Sequence, residues 1–250
     1  MSIAIITGAS SGLGQHFVEQ IQNHFPEMKE YWVIARRAER LTQLNAANIT
    51  IKPVPMDLTS QEDMRRLQEL LEKEKPKVSL LINNAGCGFL GNFEKASLPE
   101  QQIMLDLNIK ALTAVTWAVL PHMDRGSRII NISSIASFVP NARMTVYSAT
   151  KAYVSFFSRG LYEELRPRGI TVTAVCPGPM DTEFISVGRI KGKSKTFDIL
   201  PYCDPERVVK GALKAARKGR AVYTPKFFYK FYRVLSGLIP HAILVHAAKT

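Results

Sequence analysis

Short apolar runs alternate with longer segments of helical periodicity along most of this 250-residue chain. Seven of these runs have the length of a β-strand and are bounded by turn residues, at 3–7, 31–35, 49–53, 78–83, 128–133, 171–176 and 220–223. Parallel strands need a crossover long enough to hold a helix, and most of the intervening segments supply one. The pattern therefore predicts an α/β fold, doubly wound, with a seven-stranded parallel sheet.

Composition places the chain among ordinary globular proteins. With 46% hydrophobic and 22% charged residues, it is neither disordered nor a disulfide scaffold, and we expect a single domain over 1–250. The three cysteines, Cys87, Cys176 and Cys203, form no close pair, so we expect reduced thiols and no metal site. The first strand pattern begins within two residues of Met1 and leaves no room for a signal peptide, which predicts a cytoplasmic protein.

A glycine-rich turn follows the first predicted strand and opens a helix. Glycine lets the backbone approach a pyrophosphate closely, and the phosphate charge then lies at the positive end of the helix. The turn predicts a dinucleotide site of the Rossmann type. Its expected contacts are Gly8, Ser10, Ser11, Gly12, Leu13 and Gly14.

The same turn also matches the GxSxG pattern of serine hydrolases, in which Ser10 would be the nucleophile. A hydrolase of that kind needs earlier strands to supply its oxyanion loop, whereas this turn follows the first strand. No acidic residue followed by a histidine stands out downstream as a triad partner. The esterase therefore remains the weaker hypothesis, and it predicts ester hydrolysis without a cofactor.

Two arginines directly follow the second predicted strand. An NAD-specific site usually places an acidic residue about 20 positions beyond the glycines, to bind the ribose 2′-hydroxyl. Here Arg36 and Arg37 occupy that region, and a guanidinium would pair with a 2′-phosphate. We therefore expect NADP(H) to be preferred over NAD(H), unless both arginines are solvated loop charges.

Tyr147 and Lys151 are four residues apart, so they lie on one face of a helix. A phenol with a pKa of about 10 is a poor base at neutral pH. A neighbouring ammonium and a positive oxidised nicotinamide would both lower that pKa. Ser134, thirteen residues upstream, ends the fifth predicted strand, where doubly wound sheets bind their ligands.

These features, together with the segment Asn-Asn-Ala-Gly at 83–86, resemble the short-chain dehydrogenase/reductase family over about the first 180 residues. The resemblance implies that Tyr147 exchanges a proton, that Ser134 hydrogen-bonds the substrate oxygen and that Lys151 also holds the nicotinamide ribose. It further implies that Asn108 orients a water leading protons to Lys151. The remaining cofactor contacts that it implies are Asp57, Leu58, Asn84, Ala85, Gly86, Pro177, Gly178 and Thr182.

The expected function is hydride transfer between NADP(H) and the carbonyl or alcohol of a lipophilic substrate, such as a hydroxysteroid, a bile-acid-like compound or a long-chain oxo compound. One alternative is a reductase of small polar ketones or sugar alcohols. Another is a non-catalytic dinucleotide-binding regulator or scaffold, although an intact proton relay argues against it. Residues 183–201 match nothing specific, and the resemblance implies that they form the variable substrate loop.

The C-terminal part is basic and aromatic. Residues 181–250 hold 14 Lys or Arg against 5 Asp or Glu, and aromatic residues are interleaved with cations from 224 onward. We expect a helical extension over 224–250 that covers the substrate cleft or contacts a second subunit. The alternative is peripheral contact with the inner face of a membrane through 226–250. Nucleic-acid binding is not expected, and the family resemblance implies a homodimer or homotetramer.

Overall fold

The computed structural model describes residues 2–188 and 199–247. Part of the predicted substrate loop, 189–198, therefore lies outside the described residues, as do the last three residues of the predicted C-terminal segment.

Seven strands form one parallel sheet within this described part. They are β1 (Ser2–Thr7), β2 (Glu30–Ala35), β3 (Thr50–Pro55), β4 (Lys77–Asn83), β5 (Arg128–Ile132), β6 (Thr171–Val175) and β7 (Val222–Tyr223). Their order across the sheet is β3-β2-β1-β4-β5-β6-β7, and all neighbouring pairs run parallel. This arrangement confirms the predicted doubly wound Rossmann fold.

The third strand begins and ends later than the sequence predicted. The prediction covered 49–53, and Pro53 and Pro55 both lack the N–H that a central strand needs. In the structure the strand continues to Pro55 and pairs with β2 alone. Because β3 is an edge strand, a missing N–H on its open side costs no ladder hydrogen bond.

Helices cover both faces of the sheet. They are α1 (Leu13–His24), α2 (Ala38–Thr42), α3 (Gln61–Glu74), α4 (Leu98–Leu105), α5 (Leu112–Val119), α6 (Thr145–Leu165), α7 (Glu183–Val187), α8 (Pro205–Arg217), α9 (Phe227–Leu238) and α10 (His241–Ala247). A π-helical turn, Asp106–Ala111, joins α4 to α5. The last two helices form the predicted C-terminal extension.

Alternation along the strands divides the core into two layers. In β1, Ile6 belongs to the buried cluster that contains Phe17 of α1. Its neighbour Ile5 belongs to the opposite cluster, with Leu67 of α3 and Val115 of α5. Successive side chains of a strand point to opposite faces, so a fully apolar strand fills both layers at once.

One continuous helical stretch, Leu98–His122, is long and apolar enough to cross a membrane by length and composition, and 44% of its apolar window is buried inside the protein. It comprises α4, the π-helical turn, α5 and a final 3₁₀ turn, Leu120–His122. Val115 and Val119 are fully or almost fully buried in the core, and Asn108 hydrogen-bonds a loop beside the cleft. We therefore interpret this stretch as a core helix of the fold.

The strand order reverses between β1 and β4, which are neighbours in the sheet although two strands separate them in the chain. Connections leaving these two strands pass to opposite sides of the sheet and open a crevice beyond their carboxyl ends. Ligands of doubly wound sheets bind at such a switch point, so the fold places a candidate site there.

Candidate active site

A cleft of about 520 Å³ lies at this switch point. It brings together all the predicted cofactor and catalytic residues except two, Gly14 and Asn108. Gly14 lies beneath the glycine turn, where a side chain would collide with the backbone of Gly8. Asn108 is buried behind the loop at 86–87. Both predicted residues thus support the wall of the cleft without lining it.

The glycine turn is shaped for close approach of a ligand. Gly8 has a φ of +66°, and a Cβ there would lie 2.8 Å from the Cα of Ala85. Helix α1 then begins after Gly12, where no side chain caps its first amides. Uncapped amides at a helix N-terminus attract an anion, so the turn fits the pyrophosphate of a dinucleotide.

Thr7 and Asn84 fasten this turn to the loop after β4. The Asn84 side-chain amide donates to the carbonyls of Thr7 and Gly8, at 3.1 and 3.0 Å. The Thr7 hydroxyl accepts from the amides of Asn84 and Ala85, at 3.0 and 3.1 Å. Thr7 was missed by the sequence reasoning, although its place at the end of β1 was a signal that could have found it.

The two arginines after β2 occupy different environments. Arg37 is partly buried, and its guanidinium donates to the Ser10 hydroxyl from Nε at 3.3 Å and from Nη2 at 3.1 Å. Arg36 is exposed at the rim of the cleft. Burial alone would raise the pKa of the nearby Asp57 carboxyl, but hydrogen bonds from Thr59 and the charge of Arg36 lower it. Both arginines therefore face the cleft, and the expectation that they bind a phosphate stands as a proposal.

Glu183 reaches across from the start of α7 to the same arginines. Its carboxylate accepts from Arg37 at 2.9 Å and from Arg40 at 2.5 Å. These two hydrogen bonds lower the pKa of Glu183 to about 2, so it is ionised at neutral pH. This contact was not predictable from local sequence patterns, because 146 positions separate Glu183 from Arg37.

Tyr147 is the buried phenol at the centre of the cleft, with 7% of its surface exposed. Burial raises its pKa to about 12, and a hydrogen bond with Ser134 only partly offsets this rise. The sequence argument expected a lowered pKa, and the protein's own groups do not provide it. At neutral pH the phenol is therefore protonated, as a proton donor must be.

Lys151 lies beside Tyr147, but its charge does not offset the effect of burial on the phenol. Its ammonium donates to the carbonyl of Ile132 at 2.9 Å and lies 5.8 Å from the centre of the Tyr147 ring. Burial lowers the pKa of Lys151 to about 8. A buried cation held on a backbone carbonyl at this distance stabilises a phenolate less than the sequence argument assumed.

Ser133 and Ser134, which directly follow β5, make different contacts. The Ser133 hydroxyl is buried and donates to the carbonyl of Lys151 at 2.8 Å, which ties β5 to α6. The Ser134 hydroxyl caps a short turn by accepting from the amide of Ala136 at 3.1 Å, and it lines the cleft beside Tyr147. Ser134 can thus still donate to a ligand.

Asn108 sits in the π-helical turn and is 1% exposed. Its side chain accepts from the amide of Cys87 at 2.9 Å and donates to the carbonyl of Cys87 at 2.8 Å and to Thr150 at 3.0 Å. A Cβ at Gly86 would lie 2.9 Å from the Asn108 oxygen and 3.3 Å from the Lys151 nitrogen. Asn108 therefore fixes the loop next to Lys151, and its expected part in a proton relay remains a proposal.

Ser10 does not have the surroundings of a hydrolase nucleophile. Its hydroxyl accepts from Arg37, and no histidine lines the cleft in the described part of the chain. A serine nucleophile needs a base that takes its proton, and a guanidinium cannot act as one. The geometry thus argues against the esterase hypothesis.

The half of the cleft around Tyr147 is apolar. The Phe184 ring packs on Tyr147 with 5.6 Å between ring centres. Met104, Met144 and Ile185 complete the buried cluster around the phenol. Charged side chains that line the cleft, within the residues described, are Arg36, Arg37, Asp57 and Glu183 at the dinucleotide end and the buried Lys151.

The C-terminal extension does not cover the cleft as expected. Its described residues, 224–247, contribute none of the lining. Tyr229 instead packs behind Gly178, where a side chain would collide with its ring, and its hydroxyl donates to the carbonyl of Pro201 at 2.9 Å. The described part of the extension therefore supports the wall of the cleft from outside through Tyr229.

Comparison with known proteins agrees with this geometry. A family model described as short chain dehydrogenase matches residues 2–189. Serine 3-dehydrogenase of Rhizobium radiobacter is 36% identical over 203 residues, which are 78% of each chain. A short-chain dehydrogenase from Sphingobium yanoikuyae in complex with NADPH superposes with a TM-score of 0.81 at 29% identity, covering 95% of this chain and 93% of that one.

A bulky-bulky ketone specific alcohol dehydrogenase from Comamonas testosteroni gives a TM-score of 0.74 at 29% identity, with coverage of 95% and 93%. The family match spans the glycine turn, helix α6 with Tyr147 and Lys151, and the start of the predicted substrate loop. The chain therefore belongs to the short-chain dehydrogenase family and is an NAD(P)-dependent oxidoreductase.

Proposed function

We propose that this enzyme reduces a lipophilic ketone with NADPH, and the observation that carries the proposal is the apolar half of the cleft. Phe89, Ile103, Met144, Phe184 and Ile185 surround the phenol that would donate the proton. Apolar walls gain free energy when they bind apolar substrate surface, at about 25 cal/mol per Å² removed from water. A bulky apolar ketone therefore suits this site better than a small polar one.

The side chains have roles that follow from their positions. The nicotinamide, when bound, donates or accepts the hydride. Ser134 donates a hydrogen bond to the substrate oxygen, and Tyr147 gives its phenolic proton to that oxygen as negative charge develops there. Lys151 stabilises the resulting phenolate, while Asn108 keeps the loop at 86–87 against the lysine. With its raised pKa, Tyr147 is protonated at neutral pH, as the proton donor of a reduction must be.

Coenzyme preference rests on Arg36 and Arg37. Both line the end of the cleft that follows β2, where the ribose of the adenosine lies in doubly wound dinucleotide sites. A guanidinium there supplies charge-assisted hydrogen bonds to a 2′-phosphate and repels nothing in the coenzyme. The NADPH complex of the Sphingobium yanoikuyae relative supports the preference.

Two other functions are less well supported. Oxidation of serine, which the name of the Rhizobium radiobacter relative suggests, would need charged partners for a carboxylate and an ammonium. The described walls around Tyr147 supply no such pair. A non-catalytic regulator would have no need for a buried Tyr147, Lys151 and Ser134 gathered at one point.

A substrate panel tests the proposal. NADPH oxidation is followed with bulky apolar ketones, small polar ketones and, in the reverse direction, serine with NADP+. We expect kcat/KM to be largest for the bulky apolar ketones. Preference for a small polar ketone or for serine would contradict the substrate class, and NADPH binding without turnover on any ketone would favour the regulator.

Assembly is proposed from exposed apolar side chains on the helices beside the active site. Trp117 of α5 is 70% exposed and Phe156 of α6 is 77% exposed. Tryptophan and phenylalanine are enriched in protein interfaces, which favours a contact at these helices. We propose a homodimer or homotetramer that covers them.

We also propose that the protein is cytoplasmic, because the cytoplasm keeps free thiols such as Cys87, Cys176 and Cys203 reduced.

A further inference from the structure

Helix α9 leaves most of its large apolar side chains exposed. Tyr229 and Ser236 are its buried residues, with 0% and 8% of their surfaces exposed. Phe227, Phe231 and Leu238 are 83%, 57% and 77% exposed. A helix on the surface of a globular protein normally turns its apolar side to the core. Packing within the described part of the chain buries the Tyr229 ring but does not account for the exposed apolar residues of α9.

Four exposed side chains form a continuous row, which we call the apolar stripe: Phe227, Phe231, Val234 and Leu238. Their spacing of four, three and four residues places them on one side of the helix. Phe228 is 51% exposed next to this row, and Ile243 of α10 is 63% exposed beyond it. Proteins that act as isolated soluble monomers rarely leave such a continuous apolar surface uncovered.

Contacts on the opposite side of α9 fix the direction of the stripe. Tyr229 donates to the carbonyl of Pro201, and Tyr232 packs near Phe138 with 6.0 Å between ring centres. Arg233 donates to the hydroxyl of Thr224 at 3.3 Å. The helix is therefore held on the protein body, with its apolar stripe directed outward.

Charge around the stripe distinguishes between its candidate partners. No acidic residue follows Glu206 in the chain, whereas ten Lys or Arg do. Lys226, just before α9, and Lys230, within it, are both exposed. A symmetric contact with a second copy would bring these like charges together without a carboxylate from this segment to neutralise them. A surface that combines apolar depth with negative charge complements both features.

We propose that the apolar stripe, together with Lys226 and Lys230, binds the surface of a bilayer that contains anionic phospholipid. The phenylalanines and Leu238 would enter the boundary between headgroups and acyl chains, while the ammonium groups pair with lipid phosphates. The helix would lie in the plane of the membrane without crossing it. This inference does not depend on which ketone the enzyme reduces.

Vesicle co-sedimentation of the full chain tests the proposal. We expect binding to vesicles of phosphatidylcholine with phosphatidylglycerol, little binding to phosphatidylcholine alone, and weaker binding at high salt. Substituting both Phe231→Ser and Leu238→Ser should weaken binding at least about tenfold, because the apolar insertion is lost. The matched control is Phe93→Ser, which removes a phenylalanine that is 64% exposed elsewhere on the surface and should leave binding unchanged.

Circular dichroism and the Tm of each variant show whether it folds, and they do so without relying on activity. The proposal is overturned if the folded wild-type chain binds neither kind of vesicle. It is also overturned if salt-sensitive binding survives the double substitution, since the contact would then be with surface charge alone. A third contrary result is that the double variant converts an oligomer into monomers in sedimentation velocity, which would assign the stripe to a second copy.

Discussion

The two ends of the cleft hold their charges differently. At the dinucleotide end, Arg37, Arg40 and Glu183 form a half-exposed ionic cluster, each side chain about 41–43% accessible. At the substrate end, Tyr147 and Lys151 are buried among apolar side chains, and burial shifts both of their pKa values toward the neutral form. Solvent screens the first group and not the second. Substitutions at the substrate end should therefore change rates, whereas those at the dinucleotide end should change coenzyme affinity.

The largest effect is expected from Tyr147→Phe. This change removes the transferable proton and little binding surface, so kcat should fall by about 10²–10⁴-fold while the Kd for NADPH stays within a few-fold. Steady-state kinetics and fluorescence titration of NADPH measure the two quantities. Near-wild-type turnover of the purified variant would remove Tyr147 from the mechanism and with it the proposed distinction between the two ends.

Coenzyme choice should respond next most strongly, to Arg36→Asp combined with Arg37→Ala. A carboxylate accepts from a 2′-hydroxyl but repels a 2′-phosphate, so the ratio of kcat/KM for NADPH to that for NADH should fall by about 10²-fold. The single change Arg66→Ala, at a mostly exposed arginine on α3 outside the cleft, is the control. An unchanged ratio would mean that neither Arg36 nor Arg37 contacts the 2′-phosphate.

The pH dependence of kcat/KM for reduction tests the role of Lys151 at the substrate end of the cleft. Burial lowers the pKa of Lys151 to about 8, so the side chain is charged below that pH and neutral above it. Since reduction leaves a phenolate beside this lysine, kcat/KM for a ketone should be constant near neutral pH and fall about tenfold per unit at higher pH. Lys151→Arg should abolish this decline if the variant is active. A flat profile for the wild type through alkaline pH would contradict the stated role of the ammonium.

A smaller effect is expected from Glu183→Gln. The carboxylate now occupies donors of Arg37 and Arg40 that a 2′-phosphate could use, so its neutralisation should tighten NADPH binding by about 3–10-fold and change NADH binding little. Isothermal titration with both coenzymes compares them. If both coenzymes bind less tightly, Glu183 instead closes the cleft over the shared part of the dinucleotide.

Local patterns were enough to predict much of the fold and the polar frame of the site. The glycines at 8 and 12 and the pair Tyr147 and Lys151 depend on turn geometry and helix spacing, which neighbouring residues determine. Contacts between distant segments were not predictable in the same way. Glu183 contacts Arg37 because the chain beyond β6 returns to the segment that follows β2. Nothing in the sequence of either segment specifies the other.

The effect of burial on the pKa values of Tyr147 and Lys151 was also not predicted from the sequence. Spacing showed that Lys151 and Tyr147 share a helix face, but the sign of the pKa shift depends on how much water reaches them. Desolvation is the largest influence on the pKa of both residues, and at Tyr147 it outweighs the hydrogen bond with Ser134. For a related reason, the sequence did not predict which side of α9 faces the protein. Its aromatic residues are compatible with a buried or an exposed side, and only the buried contacts of Tyr229 distinguish the two.

Packing of the Tyr229 ring against Gly178 links the C-terminal extension to the coenzyme cleft. Gly178 lines the cleft on one side and abuts the ring on the other, so docking of α9 and occupancy of the cleft share one piece of backbone. Thermodynamic linkage makes such a coupling reciprocal. A chain cut before α9 should lose coenzyme affinity although no described residue of that helix lines the cleft, and bound coenzyme should in turn slow proteolysis of the extension.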